Sequence, residues 1–222
     1  MKSKVLLALA IVSLAAPTHA VSISWVDWTS ATLGAAGSAS GLLSPWNGPI
    51  SVGYSGDVTF AQLGSGINYW TEGSPAPYTG NTYVDNAPIA TEMVALSLSG
   101  TNTVTFSTPI SGLVMAIVSQ GQPSVPVTYD FDAAFSVLSE GKGYWGDGSY
   151  TLGAGDQLIG SEFHGVIQYA GPVSSLSWTV NPNEYWHGIT FGTAAIPEPG
   201  SIVLLGVAGV GYLVTRRRRK RA

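Results

Sequence analysis

What most constrains this chain is the way its apolar residues are broken up. Short runs rich in Val, Ile, Thr and aromatic residues include "VSISWVDW", "DVTFAQL", "NTVTFSTPISGLVMAIVSQG", "VTYDFDAAFSVLSEG" and "GVIQYAGPVSSLSWTV". Gly, Pro, Asn or Asp punctuates them, and no 3.6-residue period is sustained. Strands that alternate between a core and water leave this pattern, with turn residues supplying the reversals. The sequence therefore predicts an all-β chain, an antiparallel β-sandwich or jelly roll over residues 21–193, with helix confined to the two ends. A span of that size can bury one core of its own. Two stretches read as surface loops: the Gly/Ser-rich Ala35–Ser44, and Ser74–Pro88, "SPAPYTGNTYVDNAP".

Both ends depart from the strand pattern. Lys2 and Lys4 precede the apolar Val5–Ala16, and Thr18-His19-Ala20 follows, which predicts a secretory signal peptide over residues 1–20. Residues 194–222 form a tail of three parts. Pro197-Glu198-Pro199 comes first, then Ile202–Val214, 13 residues without a charge, then six consecutive basic residues at 216–221. A helix of that length is about 20 Å long, short of the ~30 Å hydrocarbon core of a bilayer. The expectation is one undersized transmembrane helix, its basic end in the cytoplasm and its Pro-Glu-Pro triplet on the outer side. The chain has no Cys, so a disulfide framework and a lipoprotein attachment are excluded.

The tail resembles the PEP-CTERM sorting signal of Gram-negative bacteria, a tail type also named after an ice-binding protein that carries it. The resemblance implies recognition of Pro197, Glu198 and Pro199 by an exosortase, a membrane-embedded transpeptidase. It further implies a transient anchor in the inner membrane and then delivery to the cell surface or the extracellular space. The runs from Asn102 to Gly192 are similar to the β-sandwich modules that precede such tails, which implies a fold and no activity.

Charge narrows the function. Of nine Lys and Arg, only Lys142 lies between Val21 and Pro199, together with all 13 Asp and Glu, for a net of −12. Nucleic acid is excluded as a partner, because phosphate binding needs clustered basic side chains. A polyanionic polysaccharide is repelled unless cations bridge it, whereas neutral sugars and calcium suit the field.

Tyr-Trp occurs three times, in "NYWTEG", "GYWGDG" and "EYWHG", at unequal intervals that exclude a structural repeat. Flat aromatics beside hydrogen-bonding groups can grip the C–H face of a sugar ring, which makes Trp70, Trp145 and Trp186 candidate stacking residues. The competing reading places each pair at a strand end, one ring inside the sandwich and the other covering its rim. Asp130 and Asp132 share one face of a strand and are candidate calcium ligands, or an acid/base pair for glycoside hydrolysis. The same alternation is ordinary for a half-solvated strand. His164 and His187, with Glu162 or Glu184, are weaker candidates for a metal, since Glu184-x-x-His187 lacks a helical context. The sequence contains no Gly-x-Ser-x-Gly elbow and no phosphate loop, and no catalytic residue is assigned. The expectation is an exported, non-catalytic surface or matrix protein associated with exopolysaccharide, needing no cofactor beyond a possible calcium ion. The alternatives are a secreted glycan hydrolase using a carboxylate pair and a purely structural adhesin.

Overall fold

The computed structural model describes residues 20–45 and 48–194. The expected signal peptide (apart from Ala20), the Pro-Glu-Pro triplet, the 202–214 helix and the basic end lie outside the described residues. Among the described residues all regular structure is strand, and no helix is long and apolar enough to cross a membrane.

Every pairing between named strands is antiparallel. The strands are β1 Ile23–Trp25, β2 Asp27–Thr32, β3 Gly34–Leu43, β4 Ile50–Val58, β5 Phe60–Gln62, β6 Met93–Leu96, β7 Gly100–Ser111, β8 Leu113–Gln120, β9 Val127–Phe131, β10 Phe135–Glu140, β11 Ser149–Leu152, β12 Gln157–Ser161, β13 Phe163–Tyr169, β14 Pro172–Asn181 and β15 His187–Ala194. An eight-stranded sheet runs in the order β11-β12-β9-β14-β7-β4-β3-β2. A seven-stranded sheet runs β10-β13-β8-β15-β6-β5, with β1 also paired to β15.

One core fills the space between the sheets. From the eight-stranded sheet come Val52, Tyr54, Val104, Tyr129, Leu176 and Trp178, and from the other Leu113, Met115, Ile117, Ile167, Ile189 and Phe191. The outward residues of the eight-stranded sheet are small and hydroxylated. Ser38, Ser40, Ser51 and Ser55 alternate with the inward Ala39, Val52 and Tyr54, the period-two pattern of a sheet with one wet face.

The seven-stranded sheet has no wet face along its centre. Strand β8, "LVMAIVSQ", is buried at every position. Leu113, Met115 and Ile117 enter the shared core, while Val114, Ala116 and Val118 join a second cluster on the opposite face. That second cluster is closed by the segment between β5 and β6, which lays Trp70, Tyr78 and Val84 over the sheet. Polar bonds fix the segment in place. Ser139 Oγ donates to the Pro77 carbonyl at 2.7 Å, and the Asn86 side chain bonds both the N–H and the carbonyl of Ile23, at 2.6 and 3.0 Å.

Two expected loops are thereby corrected. Ser74–Pro88 is irregular in backbone, yet it is a packed cover and not a surface loop, because an apolar sheet face lies beneath it. Ala35–Ser44 is mostly strand β3. Its residues are small because neighbouring backbone approaches: a Cβ on Gly41 would meet the Asp27 carbonyl and the Val26 side chain.

If the cover is part of the fold, Trp70→Ala should destabilise the protein by ~3–5 kcal/mol in chemical denaturation, the cost of emptying a fully packed aromatic site. A change within ~0.5 kcal/mol would show that the segment merely rests on the surface.

Candidate functional site

Rings from each of the three Tyr-Trp pairs meet at one place: Tyr69, Tyr144, Trp145 and Trp186. Tyr69 comes from the cover, Tyr144 and Trp145 from the connection after β10, and Trp186 from the residue before β15. The Tyr69 ring stacks on Trp145, with centroids 5.2 Å apart and 16° between planes. Tyr69 also meets Tyr144 and Trp186 edge to face, both at 5.0 Å. Trp145 meets Trp186 at 4.9 Å, and Trp186 rests on Phe60 of β5 at 4.9 Å. Such edge-to-face and stacked pairs are worth about 0.5–1.5 kcal/mol each beyond burial. Two of the rings stay open to water, Tyr144 at 44% and Trp145 at 45% exposed, while Tyr69 and Trp186 are half-buried against the second cluster; Tyr185, next to Trp186 in the chain, is 81% exposed.

Of the three candidate stacking residues Trp70, Trp145 and Trp186, the structure brings Trp145 and Trp186 together, their ring centroids 4.9 Å apart. Trp70 is a correction. It is 2% exposed and packs edge to face on Tyr78 under the cover, so it offers no face to a ligand. Tyr69 takes its place in the cluster. Nothing in the spacing of the pairs signals the convergence, which depends on the cover lying across the sheet.

Each movable arm is tied down by a buried polar group. Residues 143–146 make a tight turn, Gly143 N–H bonding the Gly146 carbonyl at 2.9 Å and Gly146 N–H returning the bond at 3.2 Å. Gly146 has φ 117°, a conformation open chiefly to glycine. Gly143 lies flat on the His164 ring, where an added Cβ would collide with ring atoms. His164 is itself 1% exposed.

Between β8 and β13 the register shifts from Phe163 opposite Gln120 to Gly165 opposite Ile117. Beside this bulge Ser119, in β8, and Glu162, in the connection just before β13, take positive φ values of 63° and 59°. The bulge and this connection together group three side chains. Ser119 N–H donates to His164 Nδ1 at 3.2 Å, which requires a lone pair there and leaves the proton of a neutral ring on Nε2. Nε2 faces Glu162 Oε1 at 3.4 Å, and Ser119 Oγ donates to the same oxygen at 2.5 Å. Burial pushes the Glu162 carboxyl up, but the His164 imidazole and the Ser119 hydroxyl outweigh it and hold it below its ordinary value. The order differs from that of a hydrolytic triad, because serine donates to the carboxylate and not to the histidine.

The other arm is bracketed. Glu184 pairs with His187 Nδ1, both side chains being enclosed, and Tyr185-Trp186 lies between them. Glu184 Oε1 also accepts the Gly121 N–H at 3.0 Å, and its own N–H bonds the Ser97 carbonyl at 2.9 Å. On the far side His187 faces the Tyr129 ring at 5.3 Å.

Asp130 and Asp132 lie elsewhere and both are exposed, but they do not share a strand face as expected: Asp130 belongs to β9, which ends at Phe131, and Asp132 lies in the bend that follows, its N–H bonded to the Ser177 carbonyl. Asp130 accepts from Gln157 Nε2 at 3.2 Å, and Asp132 accepts the Ser177 N–H at 3.0 Å. Among the described residues no group of three His, Asp or Glu is placed to hold a metal ion. The candidate calcium ligands therefore lack a third partner of those types.

A carboxyl held lower in the folded protein than in the unfolded chain stabilises the fold above the ordinary carboxylate value, and that contribution is lost as pH falls through the folded value. Glu162→Gln should therefore narrow the stability difference between neutral pH and pH below 4.5, the ordinary value for Glu. Thermal unfolding across that range checks it; identical profiles for both proteins would contradict the assignment. Gly143→Ala should dislodge the aromatic turn from His164, and loss of the near-ultraviolet circular dichroism of the stacked rings reports this.

Residues 195–219 match the model of the PEP-CTERM protein-sorting motif, while no curated protein and no solved structure matches the chain. The match covers the tail and does not reach the β-sheet domain. By this motif the protein is exported and sorted to the cell surface as an exosortase substrate, a chain that carries a PEP-CTERM sorting signal at residues 195–219.

Proposed function

We propose that the exported domain is a non-catalytic carbohydrate-binding module of the cell surface or extracellular matrix, which holds exopolysaccharide on the surface formed by Tyr69, Tyr144, Trp145 and Trp186. The observation that carries this reading is the convergence of rings from three separate segments on one partly water-exposed spot. Large aromatics otherwise gain by burial, and most of those in this domain are buried. Sugar rings offer apolar C–H faces edged by hydroxyls. The hydroxyls of Tyr69, Tyr144 and Tyr185 suit the edges and the indole faces suit the ring.

Delivery fits the same reading. Ile202–Val214 anchors the protein transiently in the inner membrane, and processing occurs near Pro197-Glu198-Pro199. Mass spectrometry of the surface-exposed protein should then find neither residues 1–20 nor the Arg-rich end. An intact C-terminus on the mature protein would make the tail an ordinary anchor.

Binding is tested by affinity electrophoresis of the mature protein in polysaccharide-containing gels. Trp145→Ala should weaken retention about three- to tenfold, the worth of one aromatic contact, with little change in unfolding midpoint. Trp186→Ala should lose both retention and some stability, since that ring also packs on Phe60. Retention that is indifferent to both substitutions would overturn the reading. Polysaccharide hydrolysis abolished by Asp130→Asn or Asp132→Asn would replace it with the hydrolase.

A further inference from the structure

The aromatic surface sits beside a charge found nowhere else in the exported segment. Lys142 is the one basic residue, His aside, between Val21 and Pro199, a span that holds all 13 acidic residues. It is exposed and stands two residues before Tyr144. Its backbone is fixed from both sides: its N–H donates to the Pro75 carbonyl at 2.9 Å, and its carbonyl accepts the Gly73 N–H at 2.7 Å. Its stem crosses Gly73, where an added Cβ would come within 2.8–2.9 Å of Lys142 Cβ, Cγ and Cδ. The side chain thus starts between the Tyr69 arm and the Tyr144-Trp145 arm.

Among the described residues Lys142 forms no ion pair. Glu72, the acid on the Tyr69 arm, is spent within that arm. Its Oε1 accepts the N–H groups of Tyr78 and Thr79, each at 2.8 Å, and its Oε2 accepts the Thr79 hydroxyl at 2.9 Å. On the Lys142 arm itself, Glu140 ends β10 and Asp147 follows the turn, and neither pairs with the ammonium.

Building on the carbohydrate-binding reading above, we propose that the ligand is a largely neutral glycan bearing isolated anionic substituents, one of which Lys142 engages while the sugar stacks on Trp145. A single ammonium offers one favourable charge contact. The exported segment as a whole carries a net charge of −12, so a chain of many anions laid along it meets repulsion wherever its charges come within the screening length of an acid, about 10 Å at 0.1 M salt. Sparse charge on the glycan is therefore favoured over both none and a dense array. Lysine is a compact point charge without the planar fork of arginine, so it reads the anion's charge and not its shape. Carboxylate and sulfate substituents supply the same chemistry.

Calorimetry of the mature exported protein tests this with four probes: a neutral oligosaccharide, the same oligosaccharide with one uronate, the same with one sulfate, and a dense polyuronate. Either singly charged probe should bind about two- to fivefold tighter than the neutral one at low salt, with the advantage shrinking as salt rises. Lys142→Gln should erase that advantage and leave neutral binding unchanged. The proposal is overturned if the wild type binds neutral and singly charged probes equally, if Lys142→Gln keeps the preference, or if the polyuronate binds best. Failure of the underlying reading looks different: no probe binds, or Trp145→Ala changes no affinity, and the proposal then falls with it.

Discussion

The structure depends on the burial of the seven-stranded sheet on both of its faces. A two-layer β protein normally leaves its outer faces to water, and the eight-stranded sheet does so with Ser and Thr. Strand β8 cannot, because Val114, Ala116 and Val118 are apolar on the side away from the shared core. The segment between β5 and β6 answers this by laying Trp70, Tyr78 and Val84 across the sheet. Once the cover is seated there, Tyr69 is carried to its edge, where Trp186 and the Tyr144-Trp145 turn arrive from other connections. The candidate site is thus a consequence of how an apolar face is closed.

The two histidines of the described domain belong to the same arrangement. Buried hydrogen-bonded polar groups add only modest net stability, since their desolvation offsets much of what the bond returns. Their geometry is what distinguishes them here. His164, held by Ser119 and Glu162, is the floor under Gly143, and Glu184 with His187 brackets Tyr185-Trp186. Both pairs lie directly beneath or beside exposed aromatic rings, so a rigid polar base supports a surface that would otherwise rest on loops alone.

The all-β antiparallel class was legible because period-two alternation and turn residues act locally. The two misread loops show the limit. In Ala35–Ser44 close neighbours leave no room for a side chain at Gly37 and Gly41, and ordinary strand propensity misses a strand that carries glycines for tight approach. Ser74–Pro88 has the composition of a solvated turn, yet Tyr78 and Val84 are buried by a sheet that is distant in sequence. The same long-range dependence hid the site. Trp145 and Trp186 were visible as candidates, but only tertiary packing decides that Trp70 turns inward while Tyr69 faces its partners. The grouping of Ser119, Glu162 and His164 involves two non-glycine residues at positive φ, which no local pattern announces.

The proposed retention of extracellular glycan joins two observations, a signal for sorting to the cell surface and a partly open aromatic surface on an acidic domain. The most direct test follows the indole N–H resonances of the mature protein by NMR during titration with a polysaccharide that it retains. Trp145 and Trp186 should shift together and saturably, while the buried indoles of Trp28, Trp70 and Trp178 stay still. Shifts that spare Trp145 and Trp186, or that fall instead on the Ser- and Thr-rich face of the eight-stranded sheet, would contradict the account.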